Sequence, residues 1–152
     1  MADQMAAKRS PARLRALPTR LVNLAAIASN RLTDQALAGT GARRYHFAML
    51  AALEEFGPAT QADLGRCTGI DRSDVVAVVN SLAEAGCVDR RPDPDDGRRN
   101  IVSITPAGID YLAKLDALLA EAQAQLLRAL SATERDELVR LLTAIIDDFG
   151  MA

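Results

Sequence analysis

Several things are scarce in this 152-residue chain. It has one histidine, His46, and two cysteines, Cys67 and Cys87. No CxxC or HxxxH pairing exists, so a structural zinc site is not expected. A single histidine leaves little for general acid–base chemistry. No nucleophile–base pair and no glycine-rich phosphate loop stands out, so no enzyme and no cofactor are expected. Excess positive charge is also missing, since the formal net charge is -2. A role with nucleic acid must therefore rest on local charge. There is no run of eighteen apolar residues, hence no expected membrane span. The opening MADQMAAKRSPARLR lacks the apolar segment of a signal peptide, and the expectation is a cytoplasmic chain with reduced thiols.

Lysine is rare as well: of 18 cationic residues, 2 are lysine and 16 arginine. GC-rich codon usage produces that ratio, so only the placement of the arginines carries weight. What the chain does have is 49% hydrophobic content and enough length for one domain with a buried core.

Residues 1–10 read as disordered. From about Pro11 to Ala38, apolar residues recur at helical spacing, with Pro18 expected to split or kink the helix. Gly39 and Gly41 end it. A second helix is expected from about Arg43 to Phe56. Thr60 with Asp63 starts a short helix to Cys67, and Asp71 with Asp74 starts a longer one from Arg72 to Ala85. Gly86 closes that helix. The period then changes from 3.6 to 2. Cys87 and Asp89 alternate with Val88 and Arg90, as do Ile101 and Ser103 with Val102 and Ile104. These two runs form one β-hairpin, with Gly97 in its loop available for positive φ. Thr105-Pro106 opens a helix reaching about Leu130. Ser131 to Glu134 is a full capping box for the last helix, which runs to Phe149. Both cysteines fall where packing residues are expected.

The centre is a helix-turn-helix. Its second helix buries Val75, Val78 or Val79, and Leu82. The opposite side offers Arg72, Ser73, Val76, Ala77 and Asn80, small or hydrogen-bonding side chains suited to a major groove. The hairpin is then a wing. Its tip, RRPDPDDGRRN, sets four arginines against three aspartates, only +1 net, which argues for positioned contacts rather than a smear of charge. Arg98 would enter a minor groove, aimed by Asp96 two residues earlier, while Arg90, Arg91 and Arg99 lie on or near phosphates. Lys8, Arg9, Arg13, Arg15 and Arg20 are a basic run that could reach DNA as an arm or merely be solvated.

The run TQADLGRCTGIDRSDVVAVVNSLAEAGCVDRRPDPDDGRRNIVSITPAG resembles the MarR family of winged helix-turn-helix regulators. The most specific pieces are Asp96-Gly97-Arg98 and ITPAG after the hairpin. The resemblance implies a mainly α fold with one β-hairpin wing, in which N- and C-terminal helices (11–42 and 106–150) dimerise and residues 43–105 bind DNA. It implies a homodimeric repressor on a pseudo-palindromic operator, released by a small anionic aromatic effector near Arg43, Arg44, Tyr45 and His46. The family's peroxide sensors carry a cysteine in the first helix, and none is present there. The alternatives are a thiol-responsive regulator and a winged-helix module that binds protein instead of DNA.

Overall fold

The computed structural model describes residues 10–151. The expected disorder of the first ten residues, with Lys8 and Arg9, falls almost wholly outside them. The chain enters through one helical turn, α1 (Ala12–Arg15), and then α2 (Pro18–Leu37). Pro18 is the first residue of α2. There its fixed φ suits the helix and its missing N–H costs nothing, so the proline separates the two helices rather than kinking one. Gly39 and Gly41, at φ 80° and 79°, carry the chain into α3 (Arg44–Phe56).

Next come β1 (Ala59–Thr60), α4 (Gln61–Thr68) and α5 (Arg72–Glu84). The wing is β2 (Val88–Pro92) and β3 (Asn100–Ile104). Two long helices finish the chain, α6 (Pro106–Leu126) and α7 (Ala132–Asp148). The wing is not a lone hairpin. β1 pairs antiparallel with β3, giving a three-stranded sheet in the order β1-β3-β2. Two residues are too few for an alternation to show, so β1 escapes a reading by periodicity.

Local chemistry explains most boundaries. Thr60 and Asp63 form a reciprocal capping box, as do Ser131 and Glu134. The Thr105 hydroxyl accepts from Gly108 N–H at 3.1 Å and donates to the Gly86 carbonyl at 2.6 Å, tying the start of α6 to the end of α5. Three expectations are corrected. Asp71 occupies the N-cap of α5, but its side chain makes no capping bond. Gly97 does not use positive φ, because the loop turns through aspartate hydrogen bonds instead. Helix α6 stops at Leu126, with a turn closing from Leu130 N–H to the Leu127 carbonyl.

The core lies among α3, α4, α5, α6 and the sheet. Met49, Leu50, Leu53, Leu64, Val75, Val79, Leu82, Val102 and Leu115 are fully enclosed. Gly108 lets α6 press against the strand entry, since a Cβ there would lie 2.1 Å from the Cys87 carbonyl oxygen. The two ends of the chain differ. Helix α2 packs along α6, yet Leu21, Val22, Leu24 and Ile27 remain exposed. Helix α7 has no buried residue, and Val139, Leu141, Leu142, Ile145, Ile146 and Phe149 face outward. Among the described residues no helix is long and apolar enough to cross a membrane.

Candidate nucleic-acid interface

Helix α5 is positioned by its apolar side. Val75, Val78, Val79 and Leu82 are all buried, so both of the valines that its spacing left as alternatives point inward. Gly69 at φ 67° makes the tight turn before it, and the buried Ile70 pins that turn. Gly65 lets α4 come close, with room for a Cβ only 3.2 Å from the Ile70 carbonyl oxygen. Arg72, Ser73, Val76, Ala77 and Asn80 are exposed on the other side.

The wing is fixed by carboxylates. Asp93 is buried, and its Oδ1 accepts Asp95 N–H at 2.9 Å, a turn in which the side chain substitutes for backbone. Its Oδ2 lies 3.2 Å from Arg99 Nη2. Backbone bonds close the loop: Asp93 N–H to the Arg99 carbonyl at 2.8 Å, and Arg99 N–H to the Asp96 carbonyl at 2.9 Å. Asp96 Oδ1 then accepts from Arg98 N–H and from Arg98 Nε, both at 3.1 Å. Those hydrogen bonds from Arg98, with the charge of Arg99, hold the Asp96 carboxyl below its usual range. The Arg98 side chain is nevertheless 91% exposed. It is anchored by one edge, through Nε and Nη2.

The other wing arginines differ from one another. Arg99 is drawn onto Asp93 and Asp96 and is no free phosphate-facing group in this structure. Arg90 donates to Asn80 Oδ1 at 2.6 Å, joining β2 to α5. Arg91 is exposed. The role of Asp93 does not emerge from spacing and periodicity. Its sequence signal is an aspartate two residues ahead of a free N–H, lying between two prolines.

Arg43, Arg44, Tyr45 and His46 meet on one open cavity of about 810 Å³. Its far wall is Asp74, Ala77 and Val78 of α5. Arg44 is held by Asn30 at 2.5 Å and by Asp34, also on the wall, at 3.7 Å. His46 is buried. Its Nδ1 accepts Arg43 N–H at 3.1 Å, so the neutral ring carries its proton on Nε2, 3.1 Å from Ser81 Oγ in α5. Burial, and then the charge of Arg43, lower the pKa of His46 below 6.5 and keep it neutral near pH 7. The cysteines behave unlike each other. Cys87 is buried, which pushes its thiol pKa up, whereas Cys67 is exposed, against the expectation that it packs.

Residues 40–99, the span from the α2–α3 loop to the wing tip, match the model of the MarR family. The HTH-type transcriptional repressor NicR of Pseudomonas putida is 32% identical over 101 residues, covering 66% of this chain and 64% of that protein. The chain spans less than two thirds of the length of the curated relatives it matches. Two solved structures cover nearly all of it. A probable transcriptional regulator from Pseudomonas aeruginosa superposes with a TM-score of 0.78 at 34% identity, over 88% of this chain and 99% of that one. The PcaV transcriptional regulator from Streptomyces coelicolor, solved with its natural ligand, gives 0.77 at 26% identity, over 91% and 98%. With its helix-turn-helix, its three-stranded wing and these relatives, the chain belongs to the MarR family of winged helix-turn-helix transcriptional regulators.

Proposed function

We propose that the protein is a homodimeric, sequence-specific DNA-binding repressor acting in the cytoplasm. The observation that carries this reading is the Arg98–Asp96 pair, an arginine stiffened at its base and offered at the tip of a wing beside a small polar helix face. In this reading α5 enters a major groove and Arg98 the adjoining minor groove, where negative potential is focused. Arg72, Ser73, Val76, Ala77 and Asn80 face the bases, and Arg90 and Arg91 lie toward the backbone, while Arg99 braces the wing through Asp93 and Asp96. Residues 11–42 and 106–150 dimerise through the exposed apolar sides of α2 and α7, and residues 43–105 form the DNA-binding unit. A two-fold dimer calls for a pseudo-palindromic operator with half-site centres about 10 bp apart. The test is an electrophoretic mobility shift with the DNA upstream of the chain's own coding sequence. A shift that a specific competitor removes, and that weakens with salt, is expected. No shift at low salt overturns the reading.

A ligand-responsive mechanism is supported by the cavity. Its wall includes Asp74, Ala77 and Val78 of α5, so an occupant would touch the DNA-facing helix itself, at Ala77 among the residues offered to the bases. PcaV, with its natural ligand bound, supports the same reading. The proposed effector is a small anionic aromatic molecule set against Arg43, with Tyr45 beside it and Arg44 already engaged by Asp34. It releases DNA by binding better to a wing spacing that does not fit the operator. A panel of aromatic carboxylates should raise thermal stability and lower operator affinity. A panel that does neither overturns the effector reading and leaves DNA binding untouched.

A further inference from the structure

The hydrogen bond between Arg90 of β2 and Asn80 of α5 constrains more than the angle of the wing. A guanidinium has five N–H donors and no acceptor. Whatever faces it must therefore be the carbonyl oxygen of the Asn80 amide, and Arg90 Nη1 indeed lies 2.6 Å from Oδ1. The NH2 group is then turned away from the strand. Among the described residues no carboxylate lies within ion-pairing distance of Arg90, so nothing competes for it. Both side chains are exposed, and Asn80 stands one turn beyond Ala77 and Val76 on the open side of α5.

We propose that Arg90 is a positioning residue that sets the polarity of Asn80, so that Asn80 favours a base edge presenting acceptors alone over adenine, whose N7 acceptor stands beside an amino donor. The inference rests on the DNA-binding reading above. A free asparagine recognises adenine with both ends of its amide, donating to N7 and accepting from N6–H2. Here the accepting end is committed to a charged donor, and charge-assisted bonds of this length are the strong ones. The oxygen keeps one lone pair, but with a guanidinium on the other the NH2 end is what the amide chiefly presents to DNA. Guanine rewards it most, through O6 and N7, and thymine through O4; adenine offers N7 alone beside its N6–H2 donor, and cytosine presents a donor and repels it. Arg90 thus contributes to sequence choice without touching a base, and it links wing and reading helix into one specificity unit.

The experiment is selection of binding sites from a randomised duplex library by the full-length protein, in parallel with Arg90→Met and Asn80→Asp. The methionine keeps the apolar stem and removes every donor. The aspartate keeps the partner for Arg90 and removes the amide donors. The wild type should prefer guanine or thymine at one position per half-site by on the order of tenfold. Arg90→Met should move that position toward adenine, because the amide oxygen is released. Asn80→Asp should move it toward cytosine, whose amino group an acceptor-only side chain accepts. If Arg90 served only a phosphate, its removal would instead weaken all sequences alike and leave the base distribution unchanged. An unchanged distribution in Arg90→Met, or a wild-type preference for adenine, overturns the inference while DNA binding stands. A library from which the wild type enriches nothing overturns DNA binding itself.

Discussion

Arg98 and Arg99 are adjacent and equally charged, yet their carboxylate partners put them to different uses. Arg98 is hooked to Asp96 and extends outward, while Arg99 is folded back onto Asp93 and Asp96. Arg98→Ala should therefore cost operator affinity on the order of 1–3 kcal/mol, more than Arg91→Ala, which removes the same charge and lowers the salt slope by about 0.9. Asp96→Asn should also weaken binding, although removing a negative charge near DNA ought to strengthen it. Fluorescence-anisotropy titrations at several salt concentrations separate these cases. Equal losses for the two arginines would show that the tip acts only as a charge patch. His46 makes a second prediction at this scale. Its folded pKa lies below its ordinary value of 6.5, so the unfolded chain binds more protons in the interval between them. The stability it contributes is complete above pH 6.5 and falls as pH drops through the folded value. Melting temperatures between pH 7.5 and 5 should decline less in His46→Gln than in the wild type, and parallel curves would exclude the histidine as the cause. The Asp96–Arg98 pair was legible in the sequence because its partners are two residues apart. Asn80–Arg90 and His46–Ser81 were not, because they join separate elements and only the tertiary fold brings them together.

At the scale of elements, helix α6 meets the wing through Gly108. Replacing a helical glycine by alanine ordinarily gains about 1 kcal/mol of helix propensity. Here the new Cβ would stand 2.1 Å from a carbonyl oxygen and 2.8 Å from Ile104 Cγ1, and backbone cannot swing aside as a side chain tip can. Overpacking of this kind costs about 1–3 kcal/mol, so the clash should win. Gly108→Ala is expected to lower the urea midpoint with little change in slope, and a stabilised variant would mean that α6 is free to slide. Helix boundaries were the most readable features, because Pro18, Thr60, Thr105 and Ser131 each act through bonds to their own neighbours. What escaped was non-local. β1 exists because two residues find β3 some forty positions later, and the turn of the wing is made by Asp93 rather than by Gly97.

For the whole molecule, the decisive fact is that α7 has no buried residue and touches the rest of its own chain only slightly. Ile145 and Val139 of this helix stand above half exposure, and Phe149, which caps its end, is 74% exposed. Exposed apolar area on this scale marks an interface. Light scattering at micromolar concentration should give twice the chain mass, and removing residues 131–152 should give a monomer with the wing region still folded. A monomeric full-length chain would refute the proposed assembly. The α2 and α7 faces were legible as stripes, but periodicity alone could not tell a face that packs inside the chain from one that waits for a second copy.

The same bare helix has a consequence for how long each molecule lasts. A 17-residue helix that its own chain barely touches gains little from packing, the source of most helical stability. In the proposed dimer, the C-terminal helix is ordered by assembly, and a chain that has not found its partner carries a frayed tail of the sort that proteases engage. Unassembled copies should then be cleared faster than assembled ones, which a pulse-chase comparison of the full chain with a dimer-breaking Ile145→Glu variant would check. The standing level of dimer should then rise with synthesis more steeply than in proportion.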